Sequence, residues 1–576
     1  MSTQLTTEPW KDPSAETAPE RIEGDEARHT RTFENWLETH LNALALVAIA
    51  AGLGIRIYVA GRSYLNPDEA LHFLLINQRS LWSAYRASLT NAHPPLIYVL
   101  LYFWRFLGRS ELMLRLPSVL AGAATCWFAF KWIGNIFGKA AGAIALILFN
   151  FSPAMIALSA EVRAYALLLF CIVAALYFLD RAFHDFSVRH LWYFSLFLCA
   201  AALSHYSAVF FSVGVGVYSL AKLFDSRPPR QFIAAWAWGQ ATAFAIYVFL
   251  YLTHVSKIQK NEMALWASPF DGSFFHLGQQ SLLTFTREHT YAIFVFLFEQ
   301  DYISEAMFWL FLVGLALLFF RDWTSGHDRP GTRRMGILLL IPFIAVWAAA
   351  VAGIYPYAGT RHTVFLDPFI IAGISCGLAN IFRRQLWALL IVASLLMVGS
   401  NTSGKTSEPF IRKENQRRYL MTEAITHIQR TIPRGDPIFV DLQSSFLISY
   451  YLCAPADTIQ IEGFRREFYK FGCSGYSVIS TNDRAWKLNP DNFAFQFQRM
   501  AVAYGLHPGD RVWVYQAGWG ANLDTELSWQ VKKFRCMTPA SFGDNITVIP
   551  FVTEPDLSPA LPPGSPHLTP LGRCAN

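Results

Sequence analysis

Two adjacent carboxylates, Asp68 and Glu69, follow Asn66-Pro67. Further along come His93 ahead of Pro94-Pro95, the run Glu161-Val-Arg163-Ala-Tyr165, then Ser204-His205-Tyr206 and Arg361-His362. Carboxylates and imidazoles can take a proton from a reacting hydroxyl or return one. Guanidiniums carry a planar fork that grips phosphate or carboxylate through two hydrogen bonds. Each group also has a structural reading. Pro67 followed by two acids suits the first turn of a helix. His205, in an apolar turn, suits a hydrogen-bonded structural histidine. Glu161 and Arg163 suit pairing with each other, and Arg115 and Arg361, each before an apolar run, suit anchors for lipid phosphate.

The elements that position these residues are dictated by composition. Of 576 residues, 53% are hydrophobic and 15% charged, with 18 Trp, 23 Tyr and 48 Phe, and the mean hydropathy is +0.28. Soluble domains carry roughly a quarter charged residues, so this chain lacks the charge to coat a large soluble surface. Disordered, collagen-like and small disulfide-scaffold classes are excluded. A polytopic membrane protein with a soluble appendage fits. The net charge of +6 is small for the length; Lys and Arg beside membrane spans account for it, and it makes no case for nucleic acid.

Residues 1–40 are polar, with no apolar run. Residues 41–60 then form the first segment long enough to cross a hydrocarbon core of roughly 30 Å. It reads as an uncleaved signal anchor, with Arg56 near its far end expected to snorkel to the interface. Ten more spans are expected at 115–137, 139–159, 162–183, 191–204, 206–224, 232–252, 304–321, 335–353, 361–382 and 386–401. Residues 95–107 are too few to cross and read as a juxtamembrane or re-entrant helix. Lys131 and Lys139, Arg181 and Arg189, the group Lys222, Arg227 and Arg230, the arginines 321, 329, 333 and 334, and Arg383 with Arg384 mark alternate loops, which the positive-inside tendency places in the cytoplasm. Eleven crossings then put loop 61–114, the turn at 159–165, Ser204–Tyr206, the long loop 253–303 and Tyr355–His362 outside, together with everything after residue 404. Ionisable groups at membrane depth are expensive, and several collected on one face point to a catalytic or binding cavity there.

Three domains follow: a polar cytoplasmic segment 1–40, a transmembrane domain 41–404, and an extracytoplasmic α/β domain 405–576. The fold class is a mainly α polytopic membrane protein with a small C-terminal α/β domain. In that domain strands are expected at 437–442, 458–462, 476–480, 511–516 and 546–552, and helices at 405–430, 444–452 and 492–505. It carries no catalytic constellation, and stabilising the bundle is its default role. Cys126, Cys171, Cys199 and Cys376 fall in spans and read as small apolar residues. Cys453, Cys473, Cys536 and Cys574 fall outside and allow two disulfides in three possible pairings. Asn545-Ile-Thr547 matches a glycosylation sequon by pattern only.

Order and spacing carry a resemblance. Asn66-Pro67-Asp68-Glu69-Ala70, Asn91-Ala-His93-Pro94-Pro95, Arg115-Leu-Pro117-Ser118, Glu161-Val-Arg163-Ala-Tyr165, Ser204-His205-Tyr206 and Arg361-His362-Thr resemble the bacterial membrane glycosyltransferases of the protein O-mannosyltransferase and lipid A aminoarabinose transferase superfamily, over roughly residues 41–400. The resemblance implies a GT-C fold, a catalytic first outer loop, and inverting transfer of sugar from a polyprenyl-phosphate donor to a lipid, glycan or protein acceptor at the outer face of a bacterial cell membrane. It implies Asp68 as general base or acceptor-orienting group, with Glu69 supporting it or touching a metal. His93 matches the His-Pro-Pro of the family, and Glu161 is the nearest acid in the second outer turn. Arg163 and Arg361 fit the donor phosphate. Tyr165, His205 and Tyr206 complete the donor- or acceptor-binding set. The aminoarabinose branch has a carboxylate where this chain has Ala92, so no metal site is built on that position; a divalent metal elsewhere stays open. Two other classes compete: a lipid or glycan transporter, for which internal repeats or charges at mid-bilayer would be expected, and a non-catalytic scaffold, against which Asp68, Glu69 and His93 argue.

Overall fold

The structure is a computed structural model and describes residues 25–89, 91, 93–257, 272–320, 332–381, 385–402, 416–453, 467–482, 486–507, 509–520, 523 and 539–552. A long helix, α1 (Asp25–Arg62), leads into three short ones, α2 (Pro67–Ile76), α3 (Leu81–Ser88) and α4 (Leu96–Trp104). The bundle continues with α5 (Glu111–Phe137), α6 (Lys139–Phe151), α7 (Pro153–Ser159), α8 (Tyr165–Asp185), α9 (Val188–Ser204), α10 (Ala208–Ser226), α11 (Arg230–Thr253), α12 (Leu282–Phe298), α13 (Asp301–Phe320), α14 (Thr332–Val351), α15 (Asp367–Ile381) and α16 (Leu386–Thr402).

Among the described residues, eight helices are long and apolar enough to cross a membrane, and α6 with α7 make a ninth if that bent pair is one span. The remaining two expected spans are α9 and α16, apolar but 17 residues each. At 1.5 Å per residue they reach about 25 Å, short of the roughly 30 Å core. All eleven expected segments therefore lie on helices. The nine-residue α4 is too short to cross, as its sequence suggests. The addition is α12, inside the expected loop 253–303. Its first half, Leu-Leu-Thr-Phe-Thr-Arg-Glu-His, is too polar to register as a span. Its second half buries Ile293, Phe294, Phe296, Leu297 and Phe298.

Two prolines explain local features of the bundle. Pro153 cannot donate a hydrogen bond and breaks the helix, with a bend of 59° between α6 and α7, which leaves carbonyls at the end of α6 without helical partners. Arg56 takes them: its guanidinium donates to the Phe149 carbonyl at 3.0 Å, the Asn150 carbonyl at 3.0 Å and Asn150 Oδ1 at 3.1 Å. Arg56 is buried, so it caps a broken helix instead of snorkelling. Pro117 inside α5 likewise leaves the Met113 carbonyl without its helical donor, and the Trp104 indole N–H supplies one at 2.8 Å.

The C-terminal region comprises α17 (Arg418–Thr431), β1 (Pro437–Val440), α18 (Leu442–Tyr451), β2 (Phe468–Cys473), β3 (Tyr476–Thr481), α19 (Pro490–Ala503), β4 (Arg511–Ala517), β5 (Ala540–Ser541) and β6 (Ile546–Val552). The sheet order is β2-β3-β1-β4-β6-β5. The central trio β3-β1-β4 is parallel, and the outer strands are antiparallel. Alternation sends Ile438 and Val440 into one core with α17 and α18, and Phe439 into another with Phe493 and Met500 of α19. Strands β2 and β5 were not expected from the sequence, and the expected strand 458–462 lies outside the described residues. Cys453 and Cys473 form a disulfide; Cys536 and Cys574 lie outside the described residues.

This domain is fused to the bundle through α2. Tyr64, Leu65 and Phe73 share a core with Phe446, Leu447 and Trp513. The Leu65 amide donates to Tyr451 Oη at 2.8 Å, and the Tyr64 amide to the Gln416 carbonyl at 2.8 Å. The domain therefore sits on the face of the bundle that carries the Asp68 loop.

Candidate functional site

The site is built on the first turn of α2. Asn66 is its N-cap: Asn66 Oδ1 accepts from the Glu69 amide at 2.9 Å, and Glu69 Oε2 accepts from the Asn66 amide at 2.9 Å, a reciprocal capping box with Pro67 in the first turn. The structural reading of Asn-Pro-Asp-Glu as a helix start is therefore correct, and it has a consequence: the cap fixes the direction in which Asp68 projects.

Glu69 turns inward. Arg115 Nε donates to its Oε1 at 2.7 Å and Arg115 Nη2 to its Oε2 at 2.6 Å, both side chains being fully buried. The Val162 amide adds a third donor at 2.8 Å. Arg115 also donates to the carbonyls of Ala60, Ser63 and Tyr64. Each Glu69 oxygen thus already accepts two hydrogen bonds. Arg115, read as a possible lipid anchor, is the partner of Glu69. Glu161 is buried as well, and its Oε1 accepts from Asn66 Nδ2 at 3.3 Å. It lies behind the cap.

Asp68 turns the other way. Its Oδ2 accepts from Arg163, in the turn between α7 and α8, and forms an ion pair at 3.3 Å with Arg361, in the 3₁₀ turn Arg361–Leu366 that leads into α15. The side chains of Asp68 and Arg361 keep 13% and 20% of their surface exposed, against 4% for Arg163, so this cluster is reachable. Burial opposes the charge on Arg163, but Asp68 first, then Tyr165 and Glu161, outweigh it and raise its pKa.

Imidazoles and phenols line the same region. Ring centres of His72 and His93 are 5.6 Å apart, those of His93 and His205 5.5 Å, and those of Tyr165 and His205 5.2 Å. His72 Nδ1 lies 2.7 Å from the Asp68 carbonyl. A carbonyl only accepts, so Nδ1 carries the proton, and Tyr98 Oη donates to Nε2 at 3.5 Å. The Ser207 amide donates to His205 Nδ1 at 3.2 Å, which places the His205 proton on Nε2. Burial first, then Arg163, lowers the His72 pKa to about 4. Burial, Arg163 and Arg361 lower His205 to about 3, and burial with His205 and Arg163 drives His93 well below the usual range. These rings are neutral hydrogen-bonding groups, not extra cations. Four buried polar atoms here, His93 Nδ1, Tyr165 Oη, Tyr206 Oη and Arg163 Nε, have no hydrogen-bond partner among the described residues. Unsatisfied buried groups are costly, and several gathered together suit a polar ligand.

Asp68, Arg163, Arg361, His93, Tyr165 and His205 thus come together as the sequence suggested, with Tyr206 beside His205. His72 was missed, although its i+4 spacing from Asp68 puts it one turn along the same helix face. His362, quoted in the sequence pattern without a role, stands with its ring centre 6.3 Å from His205. Among the described residues no group of three or more His, Cys, Asp or Glu is placed to hold a metal ion.

Residues 92–254 match the family model described as dolichyl-phosphate-mannose-protein mannosyltransferase. No curated protein matches the sequence. Among solved structures, ArnT from Cupriavidus metallidurans bound to undecaprenyl phosphate superposes with a TM-score of 0.51 at 12% identity, covering 88% of this chain and 98% of that one. The apo form of the same protein gives 0.51 at 11% identity over the same shares. The oligosaccharyltransferase of Archaeoglobus fulgidus tethered to an acceptor peptide gives 0.46 at 11% identity, over 84% of this chain and 70% of that one. In fold across most of its length, and in sequence pattern over residues 92–254, this polytopic membrane protein resembles the GT-C membrane glycosyltransferases.

Proposed function

We propose that the chain is an inverting glycosyltransferase that takes a sugar from a polyprenyl-phosphate donor and passes it to an envelope acceptor, with 41–404 as the catalytic domain, on the outer face of a bacterial cell membrane. One observation carries this reading: a partly exposed carboxylate, Asp68, is held between two arginines, Arg163 and Arg361, on the face where the rings of His93, His205 and Tyr165 converge. The acceptor hydroxyl attacks the anomeric carbon from the side opposite the phosphate. The new C–O bond forms as the bond to the phosphate oxygen breaks, the hydroxyl proton passes to Asp68, and polyprenyl phosphate departs with the bonding electrons. The donor phosphate takes the place of Asp68 as partner of the two guanidinium forks, freeing carboxylate lone pairs for the proton. Charge building on the departing phosphate is stabilised by the same forks. Glu69, Arg115 and Glu161 hold the start of α2 and act as positioning residues. The imidazoles and phenols hydrogen-bond sugar hydroxyls.

The test uses the purified full chain in lipid nanodiscs with polyprenyl-phosphate-linked sugars and envelope extract as acceptor source. Wild type is expected to release free polyprenyl phosphate. Asp68→Asn is expected to lose roughly 10²–10⁴ in rate, the range for removing a general base. Equal release by both proteins overturns the assignment of Asp68.

A further inference from the structure

The extramembrane domain reaches the site through the loop that follows β4. Strands β3, β1 and β4 are parallel neighbours, and α18 after β1 and α19 after β3 lie on opposite faces of the sheet. The carboxyl ends of such strands, where the connections diverge, form the crevice in which open α/β sheets place ligands. Here the carboxyl end of β4, beside β1, faces the start of α2. Gly518, directly after β4, has φ +116°, and a Cβ there would lie 2.7 Å from the Pro67 ring and 3.1 Å from Gln443 Oε1. Only glycine fits both the backbone conformation and the approach. Ser444 Oγ donates to the Ala517 carbonyl at 3.1 Å, and Gln443 Nε2 to the Trp519 carbonyl at 3.3 Å. The loop is thereby tied to the start of α18.

Its next residue, Trp519, lies over Arg361, with the guanidinium carbon 5.7 Å from the ring centre. The indole N–H is buried and has no acceptor among the described residues. A guanidinium over an aromatic ring uses its face and leaves its N–H edges available. One edge meets Asp68 at 3.3 Å.

We propose that Trp519 is a positioning residue of the candidate site, contributed by the extramembrane domain: its indole holds the face of Arg361 so that the edges of the guanidinium are presented to the donor phosphate. This rests on the donor-phosphate reading above and gives the C-terminal domain a part in binding. It also explains why the domain is docked on α2 through a glycine that admits no side chain.

Undecaprenyl phosphate in detergent micelles serves as the probe, with binding to the full chain measured by thermophoresis. Trp519→Ala and Trp519→Leu are expected to weaken binding roughly 2- to 30-fold, the span of cation–π contributions. Trp519→Phe is expected to retain part of the affinity. Leucine keeps apolar volume without a ring face, so Trp519→Leu binding like wild type overturns the proposal even if the alanine variant does not fold. In an Arg361→Ala background, replacing Trp519 is expected to have no further effect; independent, multiplying losses also overturn it. If wild type itself fails to bind the probe, or Arg361→Ala binds as well as wild type, the donor-phosphate reading fails and this inference falls with it.

Discussion

Two carboxylate–guanidinium clusters lie one residue apart in sequence and on opposite sides of the same helical turn. In the inner one, Glu69 and Arg115 are fully buried, and the carboxylate accepts two hydrogen bonds on each oxygen. In the outer one, Asp68 is partly exposed and shared between Arg163 and Arg361, beside polar atoms without partners among the described residues. Chemically the two are nearly identical. Saturation and burial separate them: a filled, fully buried pair can only hold structure, whereas a reachable pair can exchange its partner for a ligand.

The largest effect is expected from breaking the inner pair. Arg115→Ala leaves a buried carboxylate without its partner, at a cost of about 3–5 kcal/mol, comparable to much of the stability of a domain. Size-exclusion of the extracted variant is expected to show aggregated material. Asp68→Asn sharpens the contrast: its thermal midpoint is expected to match wild type while transfer collapses. Comparable destabilisation by both substitutions would erase the distinction between the clusters.

A smaller effect is expected within the outer cluster. Arg361→Lys keeps charge but loses the fork, so it is expected to raise the donor KM, with Arg361→Ala raising it further. Lysine working as well as arginine would instead support an anchor to lipid headgroups. Turnover against donor concentration separates the two.

The smallest effect concerns pH. His72 faces Asp68 and Glu69 on its own helix, with Tyr98, His93 and Arg163 from packed elements, and its folded pKa of about 4 lies below its ordinary value of 6.5. Between these values the unfolded chain binds a proton that the folded one does not. Its contribution to stability is present above pH 6.5 and is lost as pH falls toward 4. Thermal midpoints between pH 8 and 4.5 are expected to fall at the acid end, less steeply in His72→Gln; parallel slopes would count against His72 as a source.

Much of this arrangement is legible in the amino-acid sequence. The apolar segments are long and continuous, so each of the eleven expected spans falls on a helix. Helix α12 escaped because its polar first half dilutes the apolar second half that packs into the core. Strand β2, Phe-Tyr-Lys-Phe-Gly-Cys, escaped because its place is fixed by pairing with β3. Within the site, Asp68, Arg163 and Arg361 stood out because charge is rare beside apolar spans. His72 did not, since an isolated histidine in a short helix carries no signal until its neighbours are known.

The sequence by itself determined which segments are long and apolar enough to cross a membrane, and that Asn66-Pro67-Asp68-Glu69 opens a helix, because hydropathy, length and capping act over short stretches of chain. Only the tertiary structure decided that Glu69 belongs to Arg115 and Asp68 to Arg163 and Arg361, that Arg56 repairs the break at Pro153, and that Trp519 lies over Arg361. Each of those joins residues 46 or more positions apart, and which partner a charge or a freed carbonyl finds depends on the few ångströms between packed elements.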